Sequence, residues 1–155
     1  MRALLLFASA TLMAATPFTP KKPEPAKPLT AAQKADYAKL IQPMFDAHCV
    51  SCHGPKKEKG KLRLDTLEAT LKGGKNPTFV IAKPDSSMLL ARVFLDRTAG
   101  DVMPPKDEKP LTEKQKEALH VFVRGEPIPE ELAKAAQADT KAALTAAKAA
   151  PKAKK

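Results

Sequence analysis

The chain has no tryptophan, a single tyrosine and six phenylalanines in 155 residues. A core built from these side chains alone is short of large rings, and a bulky apolar cofactor would supply the missing volume. Cysteine is nearly absent as well. With only Cys49 and Cys52 present, thiols can make no more than half of a tetrahedral zinc site. No run of alternating apolar and polar residues marks a β-strand. The length allows one domain of about 100 residues with extensions, and excludes two ordinary domains.

Residues 1–15, MRALLLFASATLMAA, are uncharged and apolar after Arg2. They fall short of the roughly 20 apolar residues a membrane-spanning helix needs. A positive start, an apolar stretch and small residues at its end give the layout of a secretory signal cleaved after Ala14 or Ala15. No cysteine follows that would carry a lipid. A periplasmic or otherwise exported protein is expected.

A net charge of +10 invites a nucleic-acid reading, but its distribution counts against one. Residues 30–131 hold 17 basic and 15 acidic side chains, so the folded part is nearly neutral. The excess sits in Arg2, in Lys21, Lys22 and Lys27, and in residues 132–155. No nucleic-acid partner is expected.

Residues 16–28, TPFTPKKPEPAKP, hold five prolines and read as an extended linker. Thr30-Ala-Ala-Gln33 is a capping box, and Tyr37, Leu40, Ile41, Met44 and Phe45 line one face of the helix it opens. Pro43 is expected to kink or end that helix. Asp65-Thr-Leu-Glu68 opens a short helix stopped by Gly73-Gly74. Asp85-Ser-Ser-Met-Leu-Leu begins another, with Leu89, Leu90, Val93 and Phe94 inside. A further capping box, Thr112-Glu-Lys-Gln115, starts a helix that buries Leu119, Phe122 and Val123 and ends at Gly125.

The fold class is therefore all-α. A small helical domain spans residues 30–127, after a signal (1–15) and a Pro-rich linker (16–29), and before an Ala/Lys-rich tail (128–155). In the tail only Leu132 and Leu144 are large and apolar, so it is expected to be solvated and partly frayed. Lys134, Lys141, Lys148 and Lys155 recur every seven residues along one stripe. That stripe offers a peripheral contact to a membrane or another anionic surface.

Cys49-Val-Ser-Cys52-His53 fits C-x-x-C-H, the attachment sequence of c-type haem. Two thiols separated by two residues can each form a thioether to one of the porphyrin's two vinyl groups. The next residue then lies beneath the iron, and it is His53, whose imidazole suits iron. Two other readings remain open. One is a zinc site completed from His48, His53 and His120, and the other is a disulfide or thiol-exchange motif in an exported chain. Haem iron held by one histidine has an open sixth position, and Met103, in the Pro-bracketed loop Asp101-Val-Met-Pro-Pro105, is the candidate to fill it. Met44 and Met88 fall on apolar helix faces and read as core. His120 shares a face with Lys116, Glu117 and Arg124 and reads as solvent-facing, and His48 is too close to Cys49 to reach the far side of a haem.

These residues resemble the planctomycete-type cytochrome c domain of the cytochrome c-like superfamily. The matching pieces begin with Cys49-x-x-Cys52-His53-Gly54-Pro55, Lys59-Gly60-Lys61-Leu62-Arg63-Leu64-Asp65 and Leu71-Lys72-Gly73-Gly74. Pro84-Asp85-Ser86-Ser87-Met88-Leu89-Leu90, Met103-Pro104-Pro105, Leu111-Thr112 and a last helix with Phe122-Val123 ahead of Gly125 follow in the expected order. The resemblance implies a helical cytochrome c fold around one covalent haem c, with His53 proximal and Met103 distal, serving electron transfer outside the cytoplasm. Lys61 stands where the family usually has a second glycine, and Phe122 where tryptophan is common.

In such a domain Leu62, Leu64, Leu89, Leu90 and Phe94 are expected to bury the haem. Arg63 either faces a propionate, since its fork matches a carboxylate, or is an ordinary surface arginine. Lys56, Lys57, Lys59 and Lys61 either steer an acidic redox partner or form an ordinary solvated loop. An electron carrier rather than an enzyme is expected. A haem enzyme or gas sensor would need a labile sixth ligand, and a protein acting through its basic tail would carry the haem incidentally.

Overall fold

A computed structural model describes residues 28–75, 78 and 81–149. The signal read at residues 1–15, nearly all of the linker and Lys155 lie outside the described residues.

Thr30 opens the fold as a capping box: its Oγ1 accepts the Gln33 N–H at 3.2 Å, and Gln33 Oε1 accepts the Thr30 N–H at 2.8 Å. Helix α1 (Ala31–Asp36) runs into a π-helical turn at Tyr37–Ile41 and continues as α2 (Gln42–His48). Pro43 does not end the helix. A proline lacks an N–H and its ring collides with the carbonyl four residues back. The wider turn, closed by the Gln42 N–H on the Tyr37 carbonyl, takes up that collision just ahead of it. Tyr37, Leu40, Ile41, Met44 and Phe45 are all buried, as the periodicity requires.

After α2 comes a two-stranded antiparallel ladder that no sequence pattern announced. In it β1 (His53–Gly54) pairs with β2 (Lys57–Glu58), His53 opposite Glu58 and Gly54 opposite Lys57. Helix α3 (Leu67–Lys72) is capped by Thr66, whose Oγ1 accepts the Ala69 N–H at 3.2 Å, and ends at Gly73 with φ of 72°. A 3-10 turn at Pro84–Ser86 leads into α4 (Met88–Val93). Helix α5 (Glu113–Arg124) has its capping box at Thr112 and Gln115 and stops at Gly125 in the left-handed region.

Two expectations about α4 and α5 are corrected. Phe94 is not inside: it is 49% exposed and lies edge-on to His120, ring centroids 5.9 Å apart, with Lys116 Nζ 6.0 Å from its ring. His120, in turn, is half-buried against Phe94 rather than facing solvent. The α4 face that carries Leu90 and Val93 enters the core, and Phe94 falls past the helix end.

The largest correction concerns the tail. Residues Glu130–Ala149 form one helix, α6, which packs on α5 and α2. Its buried stripe is Leu132, Ala136, Thr140 and Ala143, spaced as one helix face requires. Small side chains let the helices approach closely, so packing against backbone replaces the large residues that the tail lacks. Polar bonds fix the register. Thr140 Oγ1 donates to the Ala136 carbonyl (2.8 Å) and accepts from Nε2 of the fully buried Gln115 (3.0 Å), while Thr112 Oγ1 donates to Asp139 (2.6 Å). Leu132 and Ala136 belong to the same core as α2 and α5, so the domain does not stop at residue 127.

At the centre of that core Tyr37 meets Phe45 edge-on at 6.2 Å and Phe122 at 5.9 Å. Its hydroxyl bonds Thr70 Oγ1 at 2.8 Å, and burial pushes the phenol up to about 12. Phe122, 1% exposed, is at home beside this ring.

Thr140→Val keeps the shape of α6 but leaves Gln115 without one buried partner, and is expected to cost about 1–3 kcal/mol. Leu132→Ala should cost about 2 kcal/mol or more. Denaturant unfolding checks both, and a frayed tail would leave the two midpoints where they are.

Candidate cofactor site

The chain leaves α2 through a tight turn. The N–H groups of Cys49 and Val50 both bond the Phe45 carbonyl, at 2.8 and 3.0 Å, and those of Cys52 and His53 both bond the Cys49 carbonyl, at 3.0 and 2.9 Å. Gly54 follows because nothing larger fits. A Cβ there would run into the Val50 carbonyl and lie 2.8 Å from Val50 Cγ1.

His53 is held on several sides. Its N–H is used by Cys49, its carbonyl accepts the Leu64 N–H at 2.8 Å, and its Nδ1 lies 3.0 Å from the Lys59 carbonyl. A carbonyl only accepts, so Nδ1 carries the proton and Nε2 keeps the lone pair that a metal needs. Burial, the dominant influence, lowers the His53 pKa and favours that neutral ring.

The Lys59 carbonyl is placed by the ladder and by the 3-10 turn Lys59–Lys61. The Lys59 N–H bonds the Cys52 carbonyl at 3.1 Å. Gly60 and Lys61 then both take left-handed backbone, with φ of 68° and 57°. Gly74 packs so closely that a Cβ would come within 2.6 Å of the Gly60 carbonyl. Lys61 thus adopts a conformation to which glycine is best suited.

Between this loop and the segment around Met103 opens a cavity of about 330 Å³, a size typical of small-molecule clefts. Cys49, Cys52, His53 and Met103 all line it, together with Leu62, Leu64, Leu89 and Val93. Burial pushes the Cys49 thiol up to about 12, so it stays a neutral thiol. The Met103 N–H bonds the Arg92 carbonyl at 3.1 Å. Arg92 in turn reaches the Asp101 carbonyl (3.2 Å) and carboxylate (3.3 Å). Arg97 donates to the carbonyls of Pro104, Pro105, Lys106 and Glu108.

The residues fit a haem. Two thiols, an imidazole with Nε2 free of its proton and a thioether share one largely apolar cavity. Buried in its wall, Thr78 Oγ1 has no hydrogen-bond partner among the described residues, and it is a donor suited to a carboxylate at the edge of such a group. Arg92 and Lys75 line the same cavity.

Several expectations are placed differently. Arg63 is outside the cavity wall and held by Asp65, Nε to Oδ1 at 2.9 Å and Nη2 to Oδ2 at 2.6 Å, with Glu58 at 4.0 Å. Met44 is core, but Met88 is 38% exposed and lines the cavity, a second thioether there. Leu90 packs into the core instead of the cavity, and Phe94 is in neither. His48 lines the cavity with both nitrogens engaged: Nδ1 lies 3.3 Å from the Lys109 carbonyl and Nε2 3.3 Å from Gln115 Nε2. It therefore donates from Nδ1 and accepts at Nε2. Among the described residues, no three His, Cys, Asp or Glu side chains gather as a metal-ion site, so the histidines of the zinc reading do not converge.

Arg92, Thr78 and Arg97 were missed. The one usable signal was periodicity in α4, where Met88 with Arg92 and Leu89 with Val93 form i, i+4 pairs facing the cavity. Thr78 and Arg97 carry no local pattern.

The left-handed pair gives opposite outcomes at adjacent positions. Gly60→Ala should destabilise by about 1 kcal/mol through backbone strain alone, since no atom crowds its Cβ. Lys61→Gly relieves the same strain, less the entropy that glycine returns to the unfolded chain, and should be neutral to about 1 kcal/mol stabilising. Thermal midpoints of the two variants test this, and Lys61→Gly lower than wild type would contradict it.

Residues 49–107 match the family model of Planctomycete cytochrome C. Searches of curated proteins and of solved structures found no match to the chain. The matched segment starts at Cys49 and runs past Met103-Pro104-Pro105, while the last helix with Phe122 lies beyond it. Both thiols, the imidazole with its unprotonated Nε2 and the thioether of Met103 come from that one segment and meet in one cavity, and over residues 49–107 the chain is similar to Planctomycete cytochrome C, a match that supports haem binding.

Proposed function

We propose that this chain is an exported c-type cytochrome that carries single electrons between redox proteins through one covalent haem c with His53 and Met103 as axial ligands. The supporting observation is the shared cavity of Cys49, Cys52, His53 and Met103, with the His53 Nδ1 proton spent on the Lys59 carbonyl. When bound, haem c supplies a one-electron couple at its iron.

The chain's own residues do the rest. Cys49 and Cys52 hold the group through thioethers, and Leu62, Leu64, Leu89 and Val93 keep water from it. Arg92, Lys75 and Thr78, rather than Arg63, offer partners to its carboxylates. His53, bonded to Cys49 and Leu64, and Met103, bonded to Arg92, would hold the iron from anchored backbone, so little would have to rearrange on electron transfer. A thioether is a soft ligand and favours the reduced state.

Export rests on residues 1–15. No helix among the described residues is long and apolar enough to cross a membrane. The side chains of Lys56, Lys57, Lys59 and Lys61 are exposed, Lys59 lines the cavity, and the group suits an acidic redox partner. Along α6, Lys141 and Lys148 offer a weaker contact to an anionic surface, because Lys134 is paired with Glu130 at 2.8 Å.

Reduction potentials of Met103→Ala and Met88→Ala distinguish the two thioethers in the cavity. Met103→Ala should lower the potential and lose the spectrum of thioether ligation, and Met88→Ala should stay near wild type. The reverse pattern would move the distal role to Met88.

A further inference from the structure

We propose that Arg97 is the positioning residue that keeps the distal loop closed, so that Met103 holds the sixth position against competing small ligands; the inference rests on the His53/Met103 reading. Arg97 follows α4 in a turn set by Asp96, whose Oδ1 accepts the Thr98 N–H at 2.7 Å and its hydroxyl at 2.6 Å. From there one guanidinium gathers the loop. Nη1 donates to the Pro104 carbonyl at 2.6 Å, and Nη2 lies 2.9, 3.0 and 3.1 Å from the carbonyls of Pro105, Lys106 and Glu108. Two hydrogens on Nη2 are shared among three acceptors.

This segment has few means of holding itself. Pro104, Pro105 and Pro110 have no N–H to donate. Besides the Met103 N–H on Arg92, the Glu108 N–H closes a turn on the Pro105 carbonyl at 2.9 Å. The guanidinium replaces the missing ladder with charge-assisted bonds to four carbonyls. All of these carbonyls belong to the five residues that follow Met103. Withdrawal of the thioether requires this stretch to move, and moving it breaks the bonds to Arg97. The population with an open sixth position is therefore set largely by a side chain that is itself outside the cavity wall. A lysine cannot do the same, since one compact ammonium does not span four diverging acceptors.

The test measures carbon monoxide binding to the reduced, haem-loaded protein. Wild type, Arg97→Gln, Arg97→Lys, Met103→Ala and Leu132→Ala are compared, the last weakening the fold at a core residue of α6 outside the cavity wall. Met103→Ala should bind fast, Arg97→Gln on the order of tenfold or more faster than wild type, and Arg97→Lys between wild type and Arg97→Gln. Leu132→Ala should bind at the wild-type rate despite its lower unfolding midpoint. If Arg97→Gln fails to load haem, Arg97→Lys above the wild-type rate still supports the role. Arg97→Gln or a loaded Arg97→Lys at the wild-type rate, with Met103→Ala fast, overturns the role of Arg97 and leaves Met103 as ligand. Equal acceleration by Leu132→Ala and Arg97→Gln also overturns it, by reducing the effect to lost stability. Met103→Ala no faster than wild type removes both the ligation and the inference built on it.

Discussion

The hydrogen bond from His53 Nδ1 to the Lys59 carbonyl is the contact on which the site depends. Without it either ring nitrogen can carry the proton, and the imidazole has no fixed orientation. To put a carbonyl at that point the chain must reverse within six residues. It does so with a minimal ladder of four residues and a turn in which two successive residues take left-handed backbone. The demand then spreads outward. Gly54 is needed where the turn presses on Val50, Gly74 where the next segment presses on Gly60, and Gln42 of α2 reaches the Leu64 carbonyl at 3.0 Å to hold the returning segment.

A second set of bonds ties this wall of the cavity to the far end of the chain. His48 accepts from Gln115, Gln115 donates to Thr140, and Thr140 lies on α6. The Ala/Lys helix is thus structurally continuous with the residues that precede the thiols. Its contribution comes from close approach and satisfied polar groups rather than from large apolar area, in a core that has to manage with one tyrosine and few phenylalanines.

Much of this was legible in the sequence. Both capping boxes, the glycine stops and the buried face from Tyr37 to Phe45 follow from local rules, because each feature is decided by neighbours within a turn or two. The thiols and His53 were legible for the same reason, being a motif of five residues. What failed was decided at a distance. Phe94 continues an apolar rhythm but falls beyond the end of α4, where no wall waits for it. Met88 fits the same rhythm and faces the cavity, since only tertiary packing says which side of a short helix meets which partner. Arg63 seemed suited to a carboxylate and is, but to that of Asp65, two residues away. α6 looked too poor in large residues to bury anything, a judgement that ignores how close two alanine-bearing helices can come.

On the proposed function, Cys49 and Cys52 fix one haem covalently beside His53. The most direct measurement is the haem stoichiometry of the exported chain after denaturation and acid extraction, read from mass and the pyridine haemochrome spectrum of the wild type. One haem per chain that survives extraction, with a spectrum showing both vinyl groups saturated, is the predicted result. A chain that loses its haem on extraction, or never carries one, would contradict it.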